Sequence, residues 1–121
     1  MASGEEVREF CLTLPRTTLG LVRGSARYRI GRIVYAGVSR DEELLGFAFP
    51  KQERDGLVAS EPEKFQLPRP ADLRYNWVHG RLAVIALDEL HELLVDAWTM
   101  CVPKSVDREY RLTHGWPLPE R

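Results

Sequence analysis

The stretch DELHELLVDAWTMCV, Asp88 to Val102, decides the fold. Leu90, Leu93, Leu94, Ala97, Trp98 and Cys101 recur at i, i+3, i+4, i+7, i+8 and i+11, one continuous stripe on an α-helix. Asp88 reads as its N-cap, Glu89 and Glu92 complement the helix dipole at its start, and Pro103 blocks its propagation. The opposite face carries His91, Glu92 and Asp96 and is expected to be solvated. So wide an apolar stripe must be buried, and only the strand-like segments upstream are large enough to receive it.

Working outward, Tyr75 to Leu87 reads as a strand through Trp77, Leu82, Val84 and Ile85, with a bulge at His79-Gly80-Arg81. Glu61 to Arg74 is rich in proline and charge, with Phe65 and Leu67 forming a short edge strand. Pro50 opens a weak helix over Lys51 to Ser60, interrupted by Gly56, with Leu57, Val58 and Ala59 as its apolar contacts. Leu44 to Phe49 is a third strand, reached through the polar link Ser39 to Glu43.

Residues 26–38 change to a period of two and read as a β-hairpin turning at Gly31-Arg32. Tyr28 and Ile30 point one way and Arg27 and Arg29 the other. Thr17 to Val22 is an extended or loop segment ending at the break Arg23-Gly24-Ser25. Ser3 opens a first helix, with Glu6 placed for a capping box, Val7, Phe10, Cys11 and Leu14 at helical spacing, and Pro15 as its end. The predicted order is α-β-β-β-α-β-β-α. Helices on one face of an antiparallel sheet make a two-layer α+β sandwich, expected as one domain over residues 1–105. Residues 106–121 form a C-terminal tail that either drapes back on the domain or frays.

At 121 residues, 44% hydrophobic and 29% charged, the chain has the composition of a globular domain rather than a disordered one. A net charge of -1 excludes nucleic-acid binding by bulk charge, so any such binding needs a local patch. Cys11 and Cys101 form neither a disulfide framework nor a metal pair and read as small buried hydrophobes. MASGEEVREF has no secretory pattern, and no run approaches the roughly 18 apolar residues of a membrane span. A cytoplasmic location away from membranes is the expectation.

Several motifs, taken in order, resemble the MmcQ/YjbR family. They are Phe10-Cys11-Leu12 with Leu14-Pro15, Tyr28-Arg29-Ile30-Gly31 running into Val34-Tyr35-Ala36, Trp77-Val78, and Asp88-Glu89-Leu90 through Leu93-Leu94, Ala97-Trp98 and Pro103-Lys104. The resemblance spans roughly Glu5 to Lys104. It implies a fold similar to the type III secretion chaperones and a DNA-binding role in which two β wings grip a duplex. It brings no catalytic set. Members often carry Gly-Gly-Lys at the hairpin, where this chain has Gly31-Arg32-Ile33.

The chief candidate site is RGSARYRIGR, residues 23 to 32, with four arginines and no acid. Arg27 and Arg29, about 7 Å apart on one strand face, can meet successive phosphates, with Arg32 at the turn and Arg74 and Arg81 extending the patch. The plainer reading is that the solvent face of a hairpin needs charge in any case, and arginine also shields an edge strand. Tyr35, Trp77 and Trp98 are the candidates for a small-molecule pocket between sheet and helices, although tryptophans among aliphatics are more often core. His91-Glu92-Leu93-Leu94-Val95 starts like a zinc-protease helix but lacks the second histidine. No metal or other cofactor and no enzymatic activity is expected, because no nucleophile, metal or phosphate constellation can be assembled. The leading expectation is therefore a non-enzymatic domain that weakly binds double-stranded DNA. The alternatives are a protein-interaction or chaperone-like module, as a homodimer or with a protein partner, and a small-molecule-binding domain.

Overall fold

Two turns of two residues each set the first half of the sheet. β1 (Thr17–Val22) and β2 (Ser25–Ile30) join through Arg23 and Gly24, both at positive φ (53° and 83°), the pattern of a type I′ hairpin turn. β2 and β3 (Ile33–Val38) join through Gly31, at φ 60°, and Arg32; a single positive φ at the first position fits type II′. The computed structural model describes residues 2–118, so the last three residues of the expected tail lie outside the described residues.

β4 (Leu44–Ala48) follows a turn in which Ser39 Oγ donates to Asp41 Oδ1 at 2.6 Å and Glu43 N donates to the same oxygen at 3.0 Å. These bonds hold the Asp41 carboxyl below the usual carboxylate range. Then come α2 (Lys51–Ser60), β5 (Phe65–Gln66), β6 (Trp77–Arg81), α3 (Leu87–Thr99) and α4 (Lys104–His114), with α1 (Gly4–Cys11) preceding β1. All strand pairs are antiparallel, in the spatial order β1-β2-β3-β4-β6-β5. This is the α+β architecture expected, with one more strand at the start and one more helix at the end.

Tyr28, Ala36, Val38, Leu45, Phe47, Val78 and Phe65 share the inner face and are buried against Val7 and Cys11 of α1 and Leu90, Leu94, Ala97 and Trp98 of α3. Tyr28 is 1% exposed, so the hairpin turns its aromatic face inward as the alternation predicts. The capping box at Ser3 and Glu6 is present, but α1 ends at Cys11, and a turn carries Leu14 into the core ahead of Pro15.

Several boundaries differ from the sequence reading. The extended or loop segment Thr17–Val22 is a full strand, paired with β2 over six residues. Ala86, not Asp88, flanks the N-terminus of α3; Asp88 lies in the first turn and accepts from Glu89 N. The strand expected over Tyr75 to Leu87 shrinks to Trp77–Arg81, because Leu82–Val84 winds into a 3₁₀ turn that delivers Ile85 to the core. No bulge occurs at residues 79–81, where the ladder to β4 is continuous. The irregularity sits between Tyr28 and Arg29, opposite Tyr35. Gly80 instead gives room to Phe65 and Ile85, whose atoms lie 3.4 and 3.0 Å from where a Cβ would be. In β5 the pairing stops at Gln66, leaving Leu67 exposed.

The C-terminal segment drapes back. α4 packs Tyr110 against Trp98 at 5.0 Å between ring centres. Arg111 donates through Nε to Asp107 Oδ1 at 2.6 Å, through Nη2 to Thr99 Oγ1 at 2.7 Å and through Nη1 to the Pro117 carbonyl at 2.8 Å. His91, expected in solvent, is half-buried and stacks on Phe10 at 4.1 Å, and Trp116, beyond α4, meets the same Phe10 ring edge-on at 6.5 Å.

Candidate nucleic-acid interface

Residues opposite one another on a β-ladder share a face. Arg27 stands between Gly20 and Gly37; Gly37 is opposite Gly46, Gly46 opposite His79, and His79 opposite Gln66. This row crosses the whole sheet on the face away from the core. Arg29 belongs to the same face beside Thr18 and Val34, Trp77 beside Ala48, and Arg81 beside Leu44. The hairpin thus keeps Arg27 and Arg29 off the inner face, as alternation requires.

The glycines are sites of close approach. The Arg29 guanidinium covers Gly20, with Nη2 2.9 Å from where a Cβ would lie, and the Arg27 stem covers Gly37 at 3.2 Å. The Nε1–Cε2–Cζ2 edge of Trp77 leans on Gly46, where a Cβ would come within 2.7 Å of Cζ2. Arg27 Nε donates to Ser25 Oγ at 3.3 Å, while Arg29 Nε is buried without a partner. Among the described residues neither arginine, nor exposed Arg32 at the turn, lies within 4.0 Å of a carboxylate. His79 is half-buried, and desolvation lowers its pKa; Asp72 opposes that shift and Arg69 adds to it.

The two outlying arginines are partly committed elsewhere. Arg81 reaches the same face, but Nη1 donates to the Glu63 carbonyl at 2.7 Å, and Nε and Nη2 each lie 3.0 Å from the Gln66 amide oxygen once that amide is turned toward them. Arg74 lies in the loop before β6, stacked 4.9 Å over the Tyr75 ring and donating to its hydroxyl at 2.8 Å. Arg27 and Arg29 therefore form the centre, Arg32 and Arg81 the ends, and Arg74 a separate loop position.

Tyr35, Trp77 and Trp98 do not line one pocket. Tyr35 and Trp98 are fully buried between sheet and helices, the first sharing a 2.9 Å hydrogen bond with Thr17 Oγ1, the second donating to the Pro15 carbonyl at 2.9 Å. Trp77 lies on the other side of the sheet because its register places it with Ala48, Gly46 and His79. Burial also pushes the Cys11 thiol up to about 12, so it stays protonated and packs as a small hydrophobe. Among the described residues no group of three His, Cys, Asp or Glu side chains is arranged to hold a metal ion, and no helix is long and apolar enough to cross a membrane.

Arg54 had no sequence signal. It is the buried residue of α2, where Leu57 and Val58 meet the core only in part and Ala59 is exposed. Its Nη1 donates to the carbonyls of Tyr75 and Trp77 at 2.9 and 3.0 Å, and Nη2 to that of Leu73 at 2.8 Å. Lys51 Nζ takes the Arg74 carbonyl, and Lys51 N the Asn76 side-chain oxygen, both at 3.0 Å. The start of α2 thus clasps the loop that sets Trp77 on the open face.

No protein-family model and no curated protein matches the chain. In fold it is similar to the crystal structure of Deinococcus radiodurans protein DR2400, a DUF419-domain protein, with a TM-score of 0.72 and 17% identity over 100% of this chain and 94% of that one.

Proposed function

We propose that this chain is a non-enzymatic domain of the MmcQ/YjbR type that binds nucleic acid weakly through the arginine face of its β2–β3 hairpin. The observation that carries this is the common placement of Arg27 and Arg29 on the sheet face away from the core, with Arg32 at the adjoining turn and, among the described residues, no carboxylate pairing any of them. Guanidiniums at that spacing can each meet a phosphate, and the contact is independent of sequence. With three phosphates engaged, affinity for a duplex falls about 40-fold between about 50 and 200 mM salt. Fluorescence anisotropy measures this directly. Absence of binding at low salt refutes the proposal, as does an Arg27→Glu, Arg29→Glu double variant that binds as the parent does.

A second reading draws on β1. This edge strand, TTLGLV, carries neither charge nor proline, and Leu21 is 74% exposed. Such an edge can add a strand from a second copy or a protein partner. Sedimentation showing a strict monomer, with no change on Leu21→Lys, counts against it.

A further inference from the structure

We propose that the unit recognised on this face is an unpaired nucleotide of a single strand, its base held against the Trp77 indole and its phosphate met by Arg27; the proposal rests on the nucleic-acid reading and refines it. Standing edge-on over Gly46, Trp77 lines a hollow of about 170 Å³ that reaches Ser25, Gly37 and His79, and a second of about 510 Å³ toward Val34, Ala48 and Tyr75. Arg27 lines both. The larger volume is in the range of small-ligand pockets.

Its lining suits a base. Val34 and Ala48 are apolar, Trp77 and Tyr75 offer ring surface, and Asn76 gives its oxygen to Lys51 N, which leaves its amide N–H for a base edge. The Trp77 Nε1–H, both Nη groups of Arg27 and the His79 ring nitrogens have no protein hydrogen-bond partner among the described residues; Trp77 and Arg27 line both hollows and His79 the smaller one. Among the described residues Asp72 is the one carboxylate lining either hollow, and it pairs with Arg69 at 3.6 Å. A duplex would present only its backbone here, with its bases turned inward and out of reach of Trp77. Stacking on aromatic side chains within a basic groove is how unpaired bases are held.

The test compares three labelled ligands of about 12 nucleotides at low salt: a single strand, an abasic strand of equal charge, and a duplex. The single strand is expected to bind about tenfold or more tighter than the other two and to quench tryptophan fluorescence. Trp77→Ala is expected to weaken single-strand binding by about 5- to 150-fold and leave the abasic strand and duplex unchanged. Trp77→Phe keeps a ring over Gly46, so it is expected to retain affinity and lose the quench, which separates stacking from misfolding. Equal affinity for all three ligands, or unchanged single-strand binding by Trp77→Ala, overturns the base site and leaves the charge-based reading standing. No binding to any of the three overturns both.

Discussion

Arg54→Met tests the clasp that places Trp77. Arg54 is 6% exposed and has no carboxylate partner among the described residues; its charge is solvated by three carbonyls spread over Leu73 to Trp77. A hydrogen bond involving a charged group contributes about 1.5–3 kcal/mol, so the three together are worth about 4.5–9 kcal/mol gross. Removing the guanidinium also relieves its own desolvation, an offset of several kcal/mol, and Nε is already unsatisfied. The expected net loss is about 3 kcal/mol. For 121 residues, an unfolding entropy of about 0.25 kcal/mol/K converts this into a melting midpoint lower by about 12 °C. Chemical denaturation gives the free energy, and hydrogen exchange should locate the new opening at residues 73–77 rather than across the sheet. Arg54→Lys keeps the charge but not the fork, so it should recover less than half of the loss. A methionine variant within about 0.5 kcal/mol of the parent, or a lysine variant equal to it, refutes the clasp.

Two further outcomes follow from buried charge. Asp107→Ala removes the 2.6 Å carboxylate from buried Arg111, leaving the exposed Asp96 at 3.4 Å, and should cost about 3 kcal/mol, measured by denaturation; a cost below about 1 kcal/mol would mean that Asp96, Thr99 and the Pro117 carbonyl suffice. The folded-state pKa of His79 is depressed, so the unfolded chain takes up the proton first as pH falls. Stability should therefore decrease on going down through the unfolded value near 6.5 toward the folded one, and His79→Gln should flatten that part of the profile; an identical profile in the variant removes the assignment.

How much of this was legible depends on what each residue had to contact. Leu90, Leu94, Ala97 and Trp98 announce their helix because burial imposes a repeat of 3.6, and Tyr28 with Arg27 and Arg29 announce a strand because the pleat imposes a repeat of two. Ser3 and Glu6 are equally readable, since their partners lie three residues away. β1 was harder: its pairing with β2 hangs on Arg23 and Gly24 both taking positive φ, and an arginine there gives no warning. α4 was illegible for the opposite reason. KSVDREYRLTH looks polar because two of its buried residues, Asp107 and Arg111, satisfy each other, and a pattern scored by hydropathy counts them as surface. Trp77 resembled Trp98 in composition alone; only the register with β4 puts the two on opposite sides of the sheet.

The glycines of the open face carry the argument one step further. Gly20, Gly37 and Gly46 stand at outward positions on β1, β3 and β4, where β-branched residues would be favoured and each glycine costs about 0.5–1 kcal/mol. Had the face been only a solvated exterior, threonine would serve at all three. Each glycine instead lies under a flat or extended group from a neighbouring strand: the Arg29 guanidinium, the Arg27 stem and the Trp77 indole edge. A Cβ at Gly46 would drive Trp77 away, and one at Gly37 would lift Arg27, so the bare backbone sets the height at which both groups stand. Lowering two cationic side chains and an indole onto one surface sets charge and ring side by side. On the nucleic-acid reading proposed above, the arginines alone would account for affinity for any polyanion. On that same reading, the glycines beneath them and beneath Trp77 set charge and ring at the heights that a stacked base and its phosphate would need.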